Sequence, residues 1–414
     1  MAAAGEGNVV ILGGGQAGWQ TAESLRQEGW AGAITLIGEE NRLPYQRPPL
    51  SKAYLLGEID LPRLMFRAAP WYDDHNITVR TGVRAVSIDR AARTVALDDG
   101  AYVAYDHLVL ALGARPRPLP LAGADLPGVH HLKTIEHVAA IESELAGVED
   151  VAVIGAGFIG LEFAAVARKL GKRVTVLEAA PRVMARAVCP ELSVFFTQVH
   201  RSHGVDLRLG AGVAALTGGA RVAAVQLTDG SSVSAGLVVV GVGVLPEIEL
   251  AAAAGLDCDN GIVVDAHCRT SDPRIFAAGD CAATRHPFAD GALIRLESVQ
   301  NAADQGRVVA AAIAGKPKAY DAPPWFWSDQ YDLKLQMVGL RDGCDLTVTR
   351  GDMGAGKFSL FHFRQGVLRS VDSVNRAADH IQGRKLLAAG VSPTPEQAAD
   401  PDFKLAGLLG AGSR

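Results

Sequence analysis

The sequence lacks the cysteine pairs that a dithiol relay or a disulfide framework needs. Its 414 residues contain 5 cysteines, an odd count, and no two of them stand at CxxC or CxxxxC spacing. They are Cys189, Cys258, Cys268, Cys281 and Cys344. Redox chemistry through a cysteine pair is therefore excluded.

Charge of one sign and long apolar runs are also scarce. The chain carries 45 acidic and 40 basic residues, a net charge of -5, scattered without long blocks. Its longest strongly apolar runs, such as Leu237 to Leu245, are too short to cross a bilayer, and its first residues lack the basic and apolar parts of a signal peptide. We therefore expect a cytoplasmic protein that binds neither nucleic acid nor a membrane.

Histidine clusters with metal-like spacing are absent as well. The sequence has 11 histidines, including His130 with His131 and His200 with His203, but neither pair is accompanied by a second ligand pair at zinc-like spacing. We therefore predict no metal site.

Glycine, by contrast, is abundant, with 46 residues, and part of it follows one repeated pattern. In each copy a short apolar strand runs into a GxGxxG turn that opens a helix. The copies are Val9 to Leu12 with Gly13, Gly15 and Gly18, and Val151 to Ile154 with Gly155, Gly157 and Gly160. Such a turn directs free N–H groups and a helix N-terminus at an anion, so each copy is a candidate cradle for the pyrophosphate of a dinucleotide.

An acidic residue ends the next apolar strand after each cradle. Glu39 follows Ile34 to Ile37, and Glu178 follows Val174 to Leu177. An acid at this distance accepts hydrogen bonds from the ribose hydroxyls of the nucleotide. One copy alone could be an ordinary glycine-rich turn. Two complete copies predict two dinucleotides, and the economical pair is a flavin and a nicotinamide.

Four further residues are candidate contacts to a cofactor because each lies at the start or the end of a predicted segment. Lys52 ends a segment stiffened by prolines, which could place its ammonium beside a cofactor or leave it on the surface. Asp280 ends an apolar strand, where it can bind a sugar or ribityl hydroxyl or cap the following helix. Ser298 caps a predicted helix whose N-terminus would stabilise negative charge on a flavin. Gly243 follows the strand Leu237 to Val240, where a planar ring could approach the backbone.

The order of these patterns predicts an α/β fold with two Rossmann-like dinucleotide-binding domains and a smaller α+β C-terminal domain. We expect an antiparallel insert from Ile77 to Leu110 and a crossing between domains at Arg115 to Pro120. The predicted domains are residues 1–115 with 246–320 for the first nucleotide, 116–245 for the second, and 321–414 at the C-terminus.

Together these residues resemble the NADH-dependent ferredoxin reductases of bacterial oxygenase systems, which are glutathione-reductase-like flavoproteins. The resemblance covers nearly the whole chain. The segments that carry it are Arg47 to Lys52, Gly155 to Glu162, Ala278 to Asp280, Glu297 to Ala302 and Trp325 to Gln330.

The resemblance implies FAD in the first domain and NADH in the second. The FAD residues would be Gly13, Gly15, Gln16, Ala17, Gly18, Glu39, Arg47, Lys52, Ala85, Lys133, Asp280 and Val299. The NADH residues would be Gly155, Gly157, Gly160, Glu178 and Gly243. Two positions depart from the family pattern, because Lys133 replaces an arginine and Leu112 replaces a threonine. A lysine keeps the charge but loses the bidentate fork.

The resemblance also assigns catalytic roles. Lys52 and Glu162 would pair beside the flavin N5, where the alternative for Glu162 is an exposed helix surface, and Trp327 would close the outer edge of the flavin. Glu178 favours NADH over NADPH because a carboxylate repels a 2′-phosphate, although Arg182 and Arg186 lie close enough in sequence to soften that preference.

A [2Fe-2S] ferredoxin is the implied electron acceptor, serving a haem-thiolate monooxygenase or a ring-hydroxylating dioxygenase. Because such ferredoxins are acidic, we expect a local basic rim, with Arg67, Arg307 and Lys334 as candidates, and a monomeric reductase. The alternatives are an NADH oxidase or peroxidase, disfavoured because residues 40 to 52 hold no cysteine, and a flavoprotein like the apoptosis-inducing factors, which acts through partner binding.

Overall fold

The N-terminal part of the computed structural model, which describes residues 6–410, begins with the first glycine turn. Its elements are β1 (Val9–Leu12), α1 (Gln16–Gln27), β2 (Ile34–Gly38), a 3₁₀ helix (Pro48–Ser51), α2 (Leu61–Leu64), α3 (Ala69–Asp74), β3 (Ile77–Thr81), β4 (Ala85–Asp89), β5 (Thr94–Leu97), β6 (Tyr102–Ala104), β7 (His107–Leu110) and β8 (Ala114–Pro116). The strand β1 is buried along its whole length, as expected for the centre of a parallel sheet.

The next part of the chain contains the second glycine turn. Its elements are β9 (Val129–His131), α4 (Ile135–Leu145), β10 (Asp150–Ile154), α5 (Phe158–Lys169), β11 (Arg173–Glu178), α6 (Pro190–Ser202), β12 (Asp206–Leu209), β13 (Val213–Gly218), β14 (Val222–Leu227), β15 (Ser232–Ser234), β16 (Leu237–Val240) and β17 (Val244–Pro246). A parallel sheet forms in the order β12-β11-β10-β16-β9, and β13, β14 and β15 pair antiparallel beside it.

The chain then returns to the first nucleotide unit. The elements are α7 (Glu249–Ala253), β18 (Ile262–Val264), β19 (Ile275–Ala277), β20 (Ala282–Arg285), a 3₁₀ helix (Pro287–Ala289), β21 (Leu293–Arg295) and α8 (Val299–Ile313). The strand β19 pairs with β7 and completes the parallel sheet β19-β7-β1-β2-β3. The crossing segments pair with each other, because β8 and β17 are antiparallel.

The predicted antiparallel insert is smaller than expected. Only β4, β5 and β6 pair antiparallel, whereas β3 and β7 belong to the parallel sheet. The error has a physical cause. The strand β3 lies at the edge of that sheet, so its polar and apolar residues alternate as they do in an antiparallel strand.

The C-terminal part is an antiparallel sheet with helices on one side. Its elements are β22 (Trp325–Gln330), β23 (Leu333–Gly339), β24 (Leu346–Asp352), β25 (Lys357–Arg364), β26 (Val367–Val374), α9 (Ala377–Ala388), α10 (Pro395–Ala399) and α11 (Gly407–Gly410). The order is β22-β23-β26-β25-β24. One face of this sheet, including Phe358 and Leu360, shares a core with Phe163 of α5 and Phe196 of α6. The C-terminal sheet is therefore packed on the second nucleotide unit.

Candidate functional site

The first glycine turn is shaped by close backbone approaches. Gly13 has φ +115°, and a Cβ there would lie 2.1 Å from the carbonyl oxygen of Ala111. A Cβ on Gly18 would lie 1.9 Å from the carbonyl oxygen of Gly13. Glycine at both positions lets α1 begin directly against the end of β1, with Gln16 and Ala17 in its first turn.

The second turn repeats this geometry. Gly155 has φ +102°, and a Cβ there would lie 2.4 Å from the carbonyl oxygen of Gly241. A Cβ on Gly160 would lie 2.2 Å from the carbonyl oxygen of Gly155, so α5 also approaches its strand closely. The chain thus contains the same strand, turn and helix twice.

The middle glycine of each turn faces space that the protein leaves open. A Cβ on Gly15 would meet nothing within 4 Å, and a Cβ on Gly157 would meet only the carbonyl oxygen of Gly241 at 4.0 Å. Both residues have extended backbone before the helix, a conformation that any residue adopts. The protein's own packing therefore does not require a small residue at either position. A pyrophosphate bound at each helix N-terminus would require one.

The two acids after the cradles differ in their surroundings. Glu39 is exposed and makes no hydrogen bond or ion pair within residues 6–410, so both of its oxygens are free for a ribose. The carboxylate of Glu178 accepts hydrogen bonds from the backbone N–H groups of Ala156, at 2.7 Å, and Ala180, at 2.8 Å. These bonds hold Glu178 against the second cradle, and its remaining lone pairs can accept from a ribose.

The two arginines near Glu178 also differ. The guanidinium of Arg182 is used by the protein, since it donates to the carbonyls of Val188 and Ala185 and to the hydroxyl of Ser193. Arg186 is exposed, and its guanidinium lies 3.1 Å from the position of a Cβ on Gly243, which has φ +100°. Of these two arginines, Arg186 is therefore the one available to a nucleotide.

A group of charges surrounds the carboxylate of Asp280. The turn before it is fixed because Gly279 donates its N–H to the Gln305 side chain at 2.8 Å, and a Cβ on Gly279 would lie 3.1 Å from Ala17. This contact brings Asp280 beside the first turn of α1. The carboxylate is half-buried, and it faces Lys133 and Arg47, which are linked by a 3.1 Å bond from the Arg47 guanidinium to the Lys133 carbonyl.

Burial shifts the pKa of two of these charged groups, Asp280 and Lys133. It raises the pKa of Asp280 to about 6, with Glu297 adding to the shift and Arg295, Lys133 and Arg47 opposing it. Burial, together with the neighbouring Arg47, lowers the pKa of Lys133. Charged groups with incomplete solvation at the edge of a glycine cradle are typical of a ligand site.

The ion pair between Lys52 and Glu162 joins the two nucleotide units. The Lys52 ammonium lies 2.9 Å from Oε1 of Glu162, with the side chains 18% and 5% exposed. Lys52 follows the 3₁₀ helix of the first unit, and Glu162 lies on α5 of the second. The alternatives of a surface lysine and an exposed helical glutamate are both excluded by this burial.

Two more predicted residues begin elements at the first unit. Ala85 is the first residue of β4 and packs half-buried on the core that includes Leu12. Val299 begins α8, and the Ser298 hydroxyl caps this helix by accepting from the N–H of Asn301 at 3.0 Å, as predicted. This cap fixes the residue at which α8 begins.

Comparison with known proteins decides the family. Residues 7–306 match the family model described as pyridine nucleotide-disulphide oxidoreductase, and residues 325–409 match the one described as reductase C-terminal. This chain belongs to the pyridine nucleotide-disulphide oxidoreductases. Rhodocoxin reductase of Rhodococcus erythropolis is 51% identical over 399 residues, which cover 96% of this chain and 93% of that protein.

Two solved structures resemble this oxidoreductase closely over its whole length. A ferredoxin reductase from Rhodopseudomonas palustris has a TM-score of 0.94 at 50% identity, covering 97% of this chain and 99% of that one. The covalent putidaredoxin reductase–putidaredoxin complex has a TM-score of 0.95 at 40% identity, covering 98% and 99%. The predicted family resemblance, fold class and enzyme class are therefore confirmed, and the family implies a flavin and a nicotinamide nucleotide.

Trp327 of the oxidoreductase lies on a different face of β22 from the Lys52–Glu162 pair. Its ring packs 5.6 Å from that of Trp325, and the Trp325 ring lies under the guanidinium of Arg384 on α9 at 4.8 Å. The neighbouring Ser328 instead points to Glu162. Trp327 therefore belongs to an aromatic pair that leads toward α9.

Two residues of the predicted basic rim, Arg67 and Arg307, lie near each other, because Gln20 contacts both Arg307 and Glu23, the partner of Arg67. Arg67 pairs with Glu23 at 2.8 Å and Arg307 pairs with Asp304 at 2.6 Å, so both charges are locally compensated. Lys334 is exposed on β23. Arg307 and Asp304 are three residues apart on α8, so that pair could have been expected from the sequence. The pair of Arg67 and Glu23 joins residues 44 positions apart, and no local pattern shows it.

Sequence reasoning missed two hydroxyl groups at the ion pair. Ser51 and Ser328 donate to the Glu162 carboxylate at 2.6 and 2.7 Å. Ser328 lies inside the segment Trp325 to Gln330 that carried part of the resemblance, but its sequence distance of 166 residues from Glu162 gave no sign of the contact.

A cluster of metal-ligand types was also not expected. The side chains of Cys189, His362 and Asp372 meet in a buried position between α6 and the C-terminal sheet. His362 and Asp372 already contact each other at 3.1 Å, and burial raises the pKa of the Cys189 thiol to about 12. Both ring nitrogens of His362 are already engaged, since Nδ1 also contacts the Thr347 hydroxyl at 2.9 Å, so we keep the prediction of no metal site.

Across residues 6–410 no helix combines the length and the apolar composition needed to cross a membrane.

Proposed function

We propose that this chain is an NADH:ferredoxin oxidoreductase with FAD, which passes single electrons to a [2Fe-2S] ferredoxin that serves an oxygenase. The observation that carries the proposal is the buried pair of Lys52 and Glu162, which joins the two nucleotide units. A buried ion pair is costly to desolvate and stabilises a fold weakly, so chemistry is the better reason for it.

FAD is proposed for the first cradle. Gly13, Gly15, Gln16, Ala17 and Gly18 would hold its pyrophosphate at the N-terminus of α1. The other proposed FAD contacts are Glu39, Arg47, Lys52, Ala85, Lys133, Asp280 and Val299. When bound, FAD supplies the chemistry that the side chains lack, because it accepts two electrons as a hydride and returns them singly.

NADH is proposed for the second cradle. Gly155, Gly157 and Gly160 would hold its pyrophosphate, and Gly243 would lie against its planar end. Glu178, held by two backbone N–H groups, would accept from the ribose and repel a 2′-phosphate. Of Arg182 and Arg186, only Arg186 lacks a hydrogen bond within residues 6–410, so it would be the one to offset this preference.

The pair of Lys52 and Glu162 would act between the two cofactors. The Lys52 ammonium is positioned to stabilise negative charge at the flavin and to orient the nicotinamide. Glu162 keeps this ammonium in place at 2.9 Å. Because both groups are largely shielded from water, their effect on a neighbouring charge is stronger than it would be on the surface.

A ferredoxin is proposed as the acceptor because the protein has no cysteine pair of its own. All five cysteines are free, which is also typical of the reducing cytoplasm that we propose as its location. A solved relative is a covalent complex with putidaredoxin. Trp327 and Trp325, below Arg384, would lie between the flavin and the docked acceptor.

We further propose the domain boundaries stated above, with residues 1–115 and 246–320 for FAD, 116–245 for NADH and 321–414 for the C-terminal domain. The pairing of β19 with β7 and of β8 with β17 supports two crossings between the first two domains. A monomer is proposed, and sedimentation of the purified protein would check it.

Anaerobic stopped-flow spectroscopy tests the function. The yellow protein is mixed with NADH or, separately, NADPH, and then with an oxidised [2Fe-2S] ferredoxin while flavin and iron–sulfur absorbance are followed. We expect rapid bleaching with NADH, slower bleaching with NADPH, and reduction of two ferredoxins for each NADH with release of one proton. Bleaching without ferredoxin reduction, but with fast reoxidation by oxygen or peroxide, would establish the oxidase alternative instead.

A further inference from the structure

The carboxylate of Glu162 is held by three donors from two other segments of the chain. Oε1 contacts the Lys52 ammonium at 2.9 Å and accepts from the Ser328 hydroxyl at 2.7 Å. Oε2 accepts from the Ser51 hydroxyl at 2.6 Å. Lys52 and Ser51 come from the first nucleotide unit, whereas Ser328 is on β22 of the C-terminal sheet. The C-terminal domain therefore takes part in holding this carboxylate.

Ser328 is itself the end of a longer hydrogen-bond chain. Nε2 of Gln330 donates to the Ser328 hydroxyl at 3.2 Å, and Oε1 of Gln330 contacts Nε2 of His200 at 2.8 Å. Nδ1 of His200 lies 3.2 Å from the hydroxyl of Tyr331. Ser328, Gln330 and His200 are fully buried, and Tyr331 is half-buried. The chain thus reaches from the ion pair toward the protein surface.

The chemistry of these groups gives the chain one direction. Burial lowers the pKa of His200 to about 4, so its imidazole is neutral and has one N–H. With that N–H on Nε2, His200 donates to the Gln330 oxygen and accepts from Tyr331 at Nδ1. The Gln330 amide then donates to Ser328, whose own proton is left for Glu162. An amide does not relay protons readily, so the chain orients Ser328 and does not conduct a proton.

We propose that Ser328 is a positioning residue, oriented by Gln330 and His200, that keeps the Glu162 carboxylate ionised and aligned on Lys52. This inference rests on the proposed function, because it assigns the C-terminal domain a role at the same flavin site. Since Ser328 and Lys52 share Oε1, removal of the hydroxyl frees the carboxylate to turn away from the ammonium.

The surroundings of Glu162 make this effect measurable. Lys52 is the charged group that acts on the carboxylate, and it is opposed by burial, which raises the pKa of Glu162. The two serines from the 3₁₀ helix and β22 are uncharged donors that favour the ionised form. Loss of one of these donors therefore raises the pKa of Glu162 further.

Three variants test the inference. Ser328→Ala removes the donor, Ser328→Cys replaces it with a weaker one of similar size, and Ser370→Ala is the matched control. Ser370 is likewise buried in the same sheet, 2% exposed against 0% for Ser328, and its hydroxyl has no hydrogen-bond partner among the described residues. The measurements are the midpoint potential of the bound flavin from pH 6 to 9 and the rate constant of its reduction by NADH.

For Ser328→Ala we expect the pH at which the potential changes slope, and the acidic limb of the reduction rate, to rise by about one pH unit. The rate constant near the acidic limb falls roughly tenfold, since each pH unit is one decade. Ser328→Cys lies between this variant and the parent, and Ser370→Ala matches the parent. A shift of that size in Ser370→Ala would mean a general effect of lost serines and would overturn the inference.

Unchanged potential and pH profiles in both Ser328 variants would also overturn the inference, even if their thermal stability fell, because only a structural role would then remain. If Ser328→Ala does not fold, the Ser328→Cys profile decides. A parent protein whose flavin bleaches with NADH but never reduces ferredoxin contradicts the proposed acceptor and leaves this test intact. The midpoint potentials are measured with dyes and need no ferredoxin.

Discussion

At the scale of single residues, Asp280 shows how a ligand site can reduce the stability of the empty protein. Its pKa is raised to about 6, mainly by burial, whereas an aspartate in the unfolded chain titrates near 3.9. The native state therefore binds the proton more tightly, so this residue's contribution to stability falls as the pH rises from about 4 to 6. Asp280→Asn should stabilise the flavin-free protein at pH 8 by about 2 kcal/mol and have no effect near pH 4.

Thermal unfolding of the flavin-free variant and parent at both pH values measures this difference. Asp342→Asn, on an exposed turn, is the control that removes one negative charge without burial. The same Asp280 variant should bind FAD more weakly, since it loses an acceptor for the cofactor's hydroxyls. If the Asp280→Asn protein is more stable without flavin but binds FAD more weakly, then Asp280 serves cofactor binding at the expense of stability. If Asp280→Asn and the parent were equally stable at pH 8, the Asp280 carboxylate would be fully solvated and the expected destabilisation would be absent.

At the scale of elements, the two glycine turns permit a matched experiment. Gly15 and Gly157 occupy the same place in the two copies, and a methyl group at either would enter space that the protein leaves open. Gly15→Ala should fold but lose FAD. Gly157→Ala should keep FAD and raise the KM for NADH about tenfold or more, since the pyrophosphate is displaced. Flavin absorbance after purification and steady-state kinetics measure these outcomes.

Gly18→Ala is the contrasting variant, because its methyl group would lie 1.9 Å from the carbonyl oxygen of Gly13. It should fail through misfolding and low soluble yield. A normal FAD content in Gly15→Ala, or lost FAD in Gly157→Ala, would contradict the assignment of FAD to the first cradle and NADH to the second. If Gly157→Ala lost FAD and Gly15→Ala instead raised the KM for NADH, FAD would be assigned to the second cradle and NADH to the first.

The elements also show what could be predicted from the sequence. The turns at Gly13 and Gly155 and the cap at Ser298 depend on neighbouring residues, so local patterns were sufficient for them. The strand Ile77–Thr81 was placed in the wrong sheet because its alternation reports an edge position, not the direction of its partner. The Ser328 contact with Glu162 joins residues 166 positions apart, and no local pattern contains that information.

At the scale of the whole molecule, the net charge of -5 opposes the binding of an acidic ferredoxin, so docking needs a local basic surface. Arg67 and Arg307 supply little, because each is paired with a carboxylate. On α9, Arg384 and Lys385 are exposed and have no carboxylate partner within the described part of the chain. Arg384 also covers Trp325, which packs on Trp327, so this surface lies directly over the aromatic pair.

Arg384→Gln should therefore raise the KM for ferredoxin about three- to tenfold at low salt and less at high salt, because exposed charges are screened within about 10 Å at 0.1 M. Flavin reduction by NADH should be unchanged, since Arg384 is not among the residues proposed to hold FAD or NADH. Arg208→Gln is the control, as Arg208 is paired with Asp206 on the second nucleotide unit and should have no effect. A larger effect from Arg208 than from Arg384 would place the docking surface on the second nucleotide unit. A ferredoxin KM independent of salt in the parent would contradict electrostatic docking altogether.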